Sequence, residues 1–391
     1  MSRVTALPAR TDAGQGLPLI TLGKAIASQL IVWHHLAIYS PMRAVVDPLA
    51  PELFAWLANP ARMAVQVFLV MAGFLAARSL LPSPGAPTSL GLPELPGKLL
   101  QRYRRLVPPC LVAMLLAILS AALARSFSDD PQLPGAPTAM QLLANVLLLQ
   151  DILGEEALSA GLWYVAIDLQ LFAMLLAVLG LRRCMPARWR AALTLLSVAG
   201  LAALSWLLLN RDPHWDAWAP YFFGAYGAGL LAAWVRQAQA GWARRCAWLA
   251  LAALVAISLS LAWRDRVLLA GLCALALALP PEGRGAGSWL RALPQRLAQL
   301  PAISWLARVS YSVFLAHYPV CLLVGALVAW AWPEALLLNS LGLLAAWSLS
   351  LLIGWLLHLK VELPALRSGG SRTAPAHTQA EPAWAGARVT R

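Results

Sequence analysis

The sequence predicts an all-α integral membrane protein: a polytopic bundle of about ten transmembrane helices with both termini in the cytoplasm. Three observations predict it. The 391-residue chain is 60% hydrophobic and only 12% charged, with a mean hydropathy of +0.67, and a soluble domain carries about twice that charge. Apolar runs of about 20 residues, each long enough to cross a bilayer, recur along nearly the whole chain. The basic residues gather in short loops beside those runs, which is the pattern of cytoplasmic loops.

Spans are expected at 22–41, 61–80, 106–124, 161–181, 191–209, 218–235, 246–263, 267–281, 303–331 and 335–358. The first is read as a retained span, because no short apolar region followed by a cleavage site precedes it. The ninth is long enough to tilt or break near Pro319. The stretch 139–153 is apolar, but counting it as a span would put Arg182, Arg183, Arg188 and Arg190 outside. That breaks the positive-inside rule, so 139–153 is read as an interfacial or re-entrant helix. Residues 1–21 then form a cytoplasmic N-terminal segment, 22–360 the membrane domain, and 361–391 a cytoplasmic tail. The tail is expected to be disordered, being polar and small beyond residue 367. The Pro- and Gly-rich loop 82–97 is expected to be irregular. Trp206, Trp218, Trp234, Trp263, Trp330 and Trp332 stand near span ends and fit an interfacial belt.

The net charge of +13 raises nucleic acid as a partner, but its topogenic placement beside lipid-facing spans argues against that. The five cysteines are scattered, with no C-x-x-C and no zinc spacing, so packing is their expected role. No three or four ligands stand at a spacing that would hold a metal.

Four polar groupings inside the apolar spans are candidates for chemistry. In KAIASQLIVWHH, Lys24 and His35 stand eleven residues apart. A helix turns through roughly 1100° over that distance, so the two share a face, on the order of 16 Å apart. The plain alternative is a topogenic lysine and a hydrogen-bonded packing histidine. His34, roughly 100° around the helix, points toward another helix. In RYRRLVPP, Arg102 and Arg105 fall on one face of a helix start and can grip phosphate oxygens, or simply mark topology. In GLWYVAIDLQLF, Asp168 lies about 10 Å into a span. A carboxylate there is a functional candidate by default, able to orient a histidine or to lock helices, the latter being the expected job of Gln170. In ARVSYSVFLAHYPV, Ser310 and His317 lie nearly on one face, with Tyr311 beside them. Catalysis and interhelical bonding are both open for that set. His214, His358 and His377 are assigned no role.

Taken together and in order, these segments resemble the membrane-bound acyltransferase-3 family. KAIASQLIVWHH is similar to its Arg-x10-His motif, with Lys24 at the arginine. QVFLVMAGFLAARSL resembles its F-F-x-x-S-G-F segment at Phe68, Gly73 and Phe74. RYRRLVPP carries its Arg-x-x-Arg, LWYVAIDLQLF its W-S-x-x-x-E segment with Asp168 at the glutamate, and SYSVFLAHYP its S-Y-x-x-Y-L-x-H-x-P segment. The chain departs from the pattern at Lys24, Ala72, Tyr164 and Asp168, as a divergent branch would.

The resemblance implies that 22–360 is a transmembrane acyltransferase domain. It implies transfer of an acyl group, such as acetyl, from cytoplasmic acyl-CoA to a hydroxyl of a glycan or other acceptor. Acyl-CoA is then a co-substrate, with no permanently bound cofactor. Lys24, Arg102 and Arg105 would meet the CoA phosphates, His35 would be base or covalent relay, and Asp168 its companion. His34, Ser310, Tyr311 and His317 would bind substrate or support the structure. Membrane lipids are the expected surroundings, in a bacterial cytoplasmic (inner) membrane. Two other readings are a polytopic transporter or flippase, for which no paired halves are found, and a catalytically inactive relative.

Overall fold

Every regular element among the described residues is helical. The computed structural model describes residues 17–80, 94–238, 241–279 and 288–368. The N-terminal segment before residue 17, the loop 82–93 and the tail beyond residue 368 lie outside them. In chain order the helices are α1 (Pro18–Tyr39), α2 (Met42–Val46), α3 (Pro51–Ala58), α4 (Ala64–Leu80), α5 (Glu94–Ala124), α6 (Ala139–Val146), α7 (Gln150–Leu153) and α8 (Leu162–Leu181). There follow α9 (Ala187–Leu207), α10 (Ala219–Gln237), α11 (Gly241–Leu261), α12 (Asp265–Ala278), α13 (Ser288–Gln299), α14 (Pro301–Ala331), α15 (Leu336–Leu357) and α16 (Leu363–Ser368).

Seven stretches among the described residues are long and apolar enough to cross a membrane: Pro51–Leu80, Glu94–Ala124, Leu162–Cys184, Ala187–Arg211, Gly241–Leu261, Pro301–Ala331 and Leu336–Arg367. The chain is an integral membrane protein. The expected first, sixth and eighth spans are helices too, but stand outside this set of seven. Each has a visible reason. α1 carries Lys24, Gln29, His34 and His35 in its 22 residues. α10 is rich in glycine and aromatic residues, and α12 has 14 residues.

Several boundaries differ from expectation. α5 starts at Glu94, twelve positions before the expected span, so Arg102 and Arg105 lie within a helix and not at its start. Residues 94–97, expected to be irregular, are its first turn. Pro108 and Pro109 sit inside α5, and Pro319 inside an unbroken α14. Each proline removes a backbone donor without ending its helix. The stretch 139–153 is not a spanning helix. α6 has eight residues, α7 has four, and Leu148 between them has φ 57°, a left-handed conformation that breaks the helix.

Small residues set the helix packing. A Cβ at Gly73 of α4 would collide with the carbonyl of Tyr226 on α10, and one at Gly229 of α10 with the carbonyl of Val70 on α4. The two backbones touch through reciprocal glycines, the packing that apolar helices use when no hydrophobic driving force separates them from lipid. Gly354 brings α15 against Val313 of α14 in the same way. Polar groups lock other contacts. Gln170 of α8 accepts from the backbone N–H of Ala219 at 3.0 Å, fixing the start of α10, as expected of that glutamine. Trp206 is not part of an interfacial belt. It is 2% exposed, with its indole over Gly224. Trp218, Trp263, Trp330 and Trp332 are exposed.

Gly73→Ala and Gly229→Ala are each expected to destabilise the bundle by about 1–3 kcal/mol through overpacking. Gly200→Ala, where a Cβ meets nothing within 4 Å, is the control. Thermal unfolding midpoints in detergent read the difference, and equal midpoints for all three would show that the glycine contact does not set the packing.

Candidate active site

Three layers of side chains stack along the axis of the bundle, starting where α1 and α14 begin and α15 ends. The first is a cavity of about 1030 Å³. Lys24 reaches it from α1, Arg102 and Arg105 from α5, Asp168 from α8, and Arg308, Ser310 and Tyr311 from α14. His358 and Glu362 reach it from the end of α15. The sequence expectation placed Lys24, Arg102 and Arg105 along one path, and the structure brings all three to this one space. Arg308, His358 and Glu362 were missed. Arg308 lies three residues before Tyr311, one helical turn away, which is the signal that could have found it. Four cations, Lys24, Arg102, Arg105 and Arg308, stand against two carboxylates, so the cavity carries excess positive charge.

Arg102 and Asp168 form its most buried charged contact. Arg102 Nε donates to Asp168 Oδ2 at 3.1 Å, and Nη2 donates to Oδ1 and Oδ2 at 2.6 and 2.7 Å. The guanidinium also lies 4.5 Å from the centroid of Phe172, one turn along α8 from Asp168. Side-chain exposure is 22% for the arginine and 7% for the aspartate. Charges so far from water are tolerated only when paired. This corrects the expected partnership of Asp168 with His35. The aspartate gives both oxygens to Arg102 across the α5–α8 interface, and His35 pairs elsewhere.

A second buried network closes one wall. Ser312 Oγ donates to Glu362 Oε2 at 2.6 Å, and His358 Nδ1 meets the same oxygen at 2.8 Å. Residues 358–362 form a π-helical turn, which brings the two side chains to one oxygen. Ser310 spends its hydroxyl on the carbonyl of Ala307 in its own helix. The Tyr311 hydroxyl donates to Leu106 O at 2.8 Å and lies 3.2 Å from Cys110 Sγ, tying α14 to α5 beside the proline pair. Both residues therefore carry structural bonds while lining the cavity.

The second layer is aromatic. Phe68, Tyr164 and Phe314 meet pairwise with ring centroids 5.4–6.2 Å apart. All three line the cavity, and Phe314 also touches the His317 ring at 6.0 Å.

The third layer is the histidine pair. His35 Nδ1 and His317 Nε2 are hydrogen-bonded, and their rings lie parallel, with 4.7 Å between centroids and 2° between planes. The carbonyls of Val313 and Phe314 face His317 Nδ1 without meeting the geometry of a full hydrogen bond. A ring N–H is favoured over a lone pair against carbonyl oxygens, which assigns the His317 proton to Nδ1. His317 Nε2 then accepts from His35 Nδ1–H, and His35 Nε2 is left as the basic nitrogen. His34 turns away, as expected, with Nδ1 on the carbonyl of Leu57 at 2.9 Å. Outside the spans, burial raises the Asp151 carboxyl above its ordinary range, offset in part by hydrogen bonds from backbone and Gln150.

A membrane-embedded helical bundle with a cationic cavity beneath a buried pair of imidazoles defines a class: integral-membrane proteins that handle an anionic substrate next to a proton acceptor. The family is shown directly. A family model described as an acyltransferase domain matches residues 18–359. The chain belongs to the acyltransferase-3 family and is a membrane acyltransferase. Neither the curated proteins nor the solved structures give a significant match.

Removing one partner of the Arg102–Asp168 pair leaves the other buried and unpaired, a loss of about 3–5 kcal/mol. Arg102→Met and Asp168→Leu are each expected to lower the unfolding midpoint strongly. The double variant should regain most of the loss, as a double-mutant cycle would show. Additive losses would mean that the two charges are not coupled.

Proposed function

We propose that the chain moves an acyl group from cytoplasmic acyl-CoA to an acceptor hydroxyl, with His35 as general base. The observation that carries this reading is the order of the three layers. A cationic cavity large enough for a cofactor-sized ligand ends on a thin aromatic layer, and directly behind it stands an imidazole with one nitrogen left to take a proton.

On this reading the bundle has ten spans, and the cavity opens to the cytoplasm, where α1 begins. Lys24, Arg105 and Arg308 face the phosphates of CoA. Arg102, already neutralised by Asp168, presents its remaining donor edge, so Asp168 positions that guanidinium and does not touch the reacting atoms. The family motif has an arginine where this chain has Lys24. A lysine keeps the charge without the two-pronged geometry, and Arg308 adds a guanidinium at the same cavity.

The pantetheine arm passes the ring layer, whose side chains must rotate, and brings the thioester to His35. His35 Nε2 takes the proton of the acceptor hydroxyl as its oxygen attacks the carbonyl carbon. The C–O bond forms, the C–S bond breaks, and the proton passes from His35 to the leaving thiolate. His317 accepts from Nδ1–H throughout and stabilises the imidazolium, the role a third group plays behind any positioned base. The expected residence in a bacterial inner membrane belongs to the same reading, since the acyl donor is cytoplasmic.

Membranes containing the wild type should transfer label from [14C]acetyl-CoA, and His35→Ala should lower that transfer by about 10²–10⁴. Equal transfer in both would remove His35 from the chemistry. Arg105→Ala should raise KM for acetyl-CoA about tenfold with little change in kcat, as expected for uniform binding. Met185→Cys should react with an impermeant maleimide only from the cytoplasmic side. Labelling from outside would invert the topology after 139–153.

A further inference from the structure

The cavity supplies one approach to His35, but an acceptor hydroxyl needs another. Beyond the histidine, away from the cavity, α1 ends at Tyr39, one turn past His35 and on the same face. The Tyr39 ring lies 5.3 Å from that of His35 and meets Tyr318 of α14 edge-on at 5.5 Å. Tyr39 is 49% exposed although the histidine behind it is 7% exposed, so an opening reaches the tyrosine pair and stops at the imidazole.

The surroundings say what kind of opening it is. The segment between α7 and α8 runs down the side of α14. Glu156 lies within electrostatic reach of Tyr318, and a Cβ at Gly161 would press on Phe314. Asn145 of α6 pins this segment, donating to the Glu156 carbonyl at 3.0 Å and accepting from the Leu158 N–H at 2.9 Å. Glu156 is exposed. A carboxylate cannot face hydrocarbon without a large penalty, so the space beside Tyr318 holds water and not lipid.

We propose that Tyr39, Tyr318 and Glu156 form the acceptor subsite and that it takes a neutral, water-borne saccharide. A pyranose ring presents an apolar C–H face to the tyrosine rings, while its hydroxyls reach the phenol groups, the Glu156 carboxylate and, at the inner end, His35 Nε2. The carboxylate repels anionic acceptors, and the water-filled opening disfavours a lipid chain. The short 139–153 helices have a function here: they hold the outer wall of the subsite in place. This inference rests on the acyl-transfer reading and adds the acceptor class and its contacts.

Purified full-length protein with [14C]acetyl-CoA tests it, using methyl α-D-glucopyranoside and glycerol as acceptor probes. Glycerol offers hydroxyls without a ring to stack. Tyr39→Ala and Tyr318→Ala should raise KM for the glucoside about tenfold, leave KM for acetyl-CoA unchanged, and erase the preference over glycerol. Tyr39→Phe should keep that preference. An active wild type whose two alanine variants keep the glucoside KM overturns the subsite alone. A wild type that transfers nothing from acetyl-CoA overturns the acyl-transfer reading and the subsite with it. A second arm is independent of turnover. With the exposed Cys184 and Cys246 replaced by serine, Tyr39→Cys should react with an impermeant maleimide from the outer face only. No labelling, or labelling from the cytoplasmic face, overturns the opening.

Discussion

The pairing of Arg102 with Asp168 is the constraint on which the polar interior depends. Two charges this deep in an apolar bundle are tolerated only together, so α5 and α8 must meet at one register. That register fixes Tyr164 and Phe172, one turn to either side of Asp168, and with them part of the aromatic layer over the cavity. The glycine contact between α4 and α10 acts alongside it. It brings Tyr226 to within electrostatic reach of the same arginine. Without the ion pair the cavity would lose both a wall and the fixed orientation of one of its cations.

The account divides the polar residues by task. Those on the cavity hold charge, those on the ring layer separate, and the two imidazoles handle a proton. The separation has chemical value, because a thioester kept apart from water until it passes the rings is protected from hydrolysis. Tyr311 and Ser312, which a motif places next to the histidine, serve the scaffold instead. Tyr311 binds α5 near Pro108 and Pro109, where the helix lacks its own donors, and Ser312 satisfies Glu362.

Much of this was legible in the sequence. Apolar runs located all ten long helices, and helical spacing put Lys24 and His35 on one face. What stayed hidden has physical causes. Lys24, Gln29, His34 and His35 make α1 the least apolar of the inner helices, so the residues that mark function also weaken its signal as a span. The partner of Asp168 could not be read because interhelical contacts carry no sequence spacing. The same is true of His317, which lies 282 positions from His35 yet shares a hydrogen bond with it. The start of α5 was misplaced because its first turns are polar and give no apolar run. Trp206 looked interfacial because a span end and a glycine-lined slot are indistinguishable until the neighbouring helix is in place.

The most direct test of the central claim is a structure of the protein with a non-hydrolysable thioether analogue of acetyl-CoA. The account predicts phosphate density against Lys24, Arg105 and Arg308, rings of Phe68 and Phe314 turned aside, and the acyl carbon within about 3–3.5 Å of the space before His35 Nε2 where an acceptor oxygen would sit. An analogue whose acyl end remains on the cavity side of the rings, or which binds away from the cavity, would contradict it.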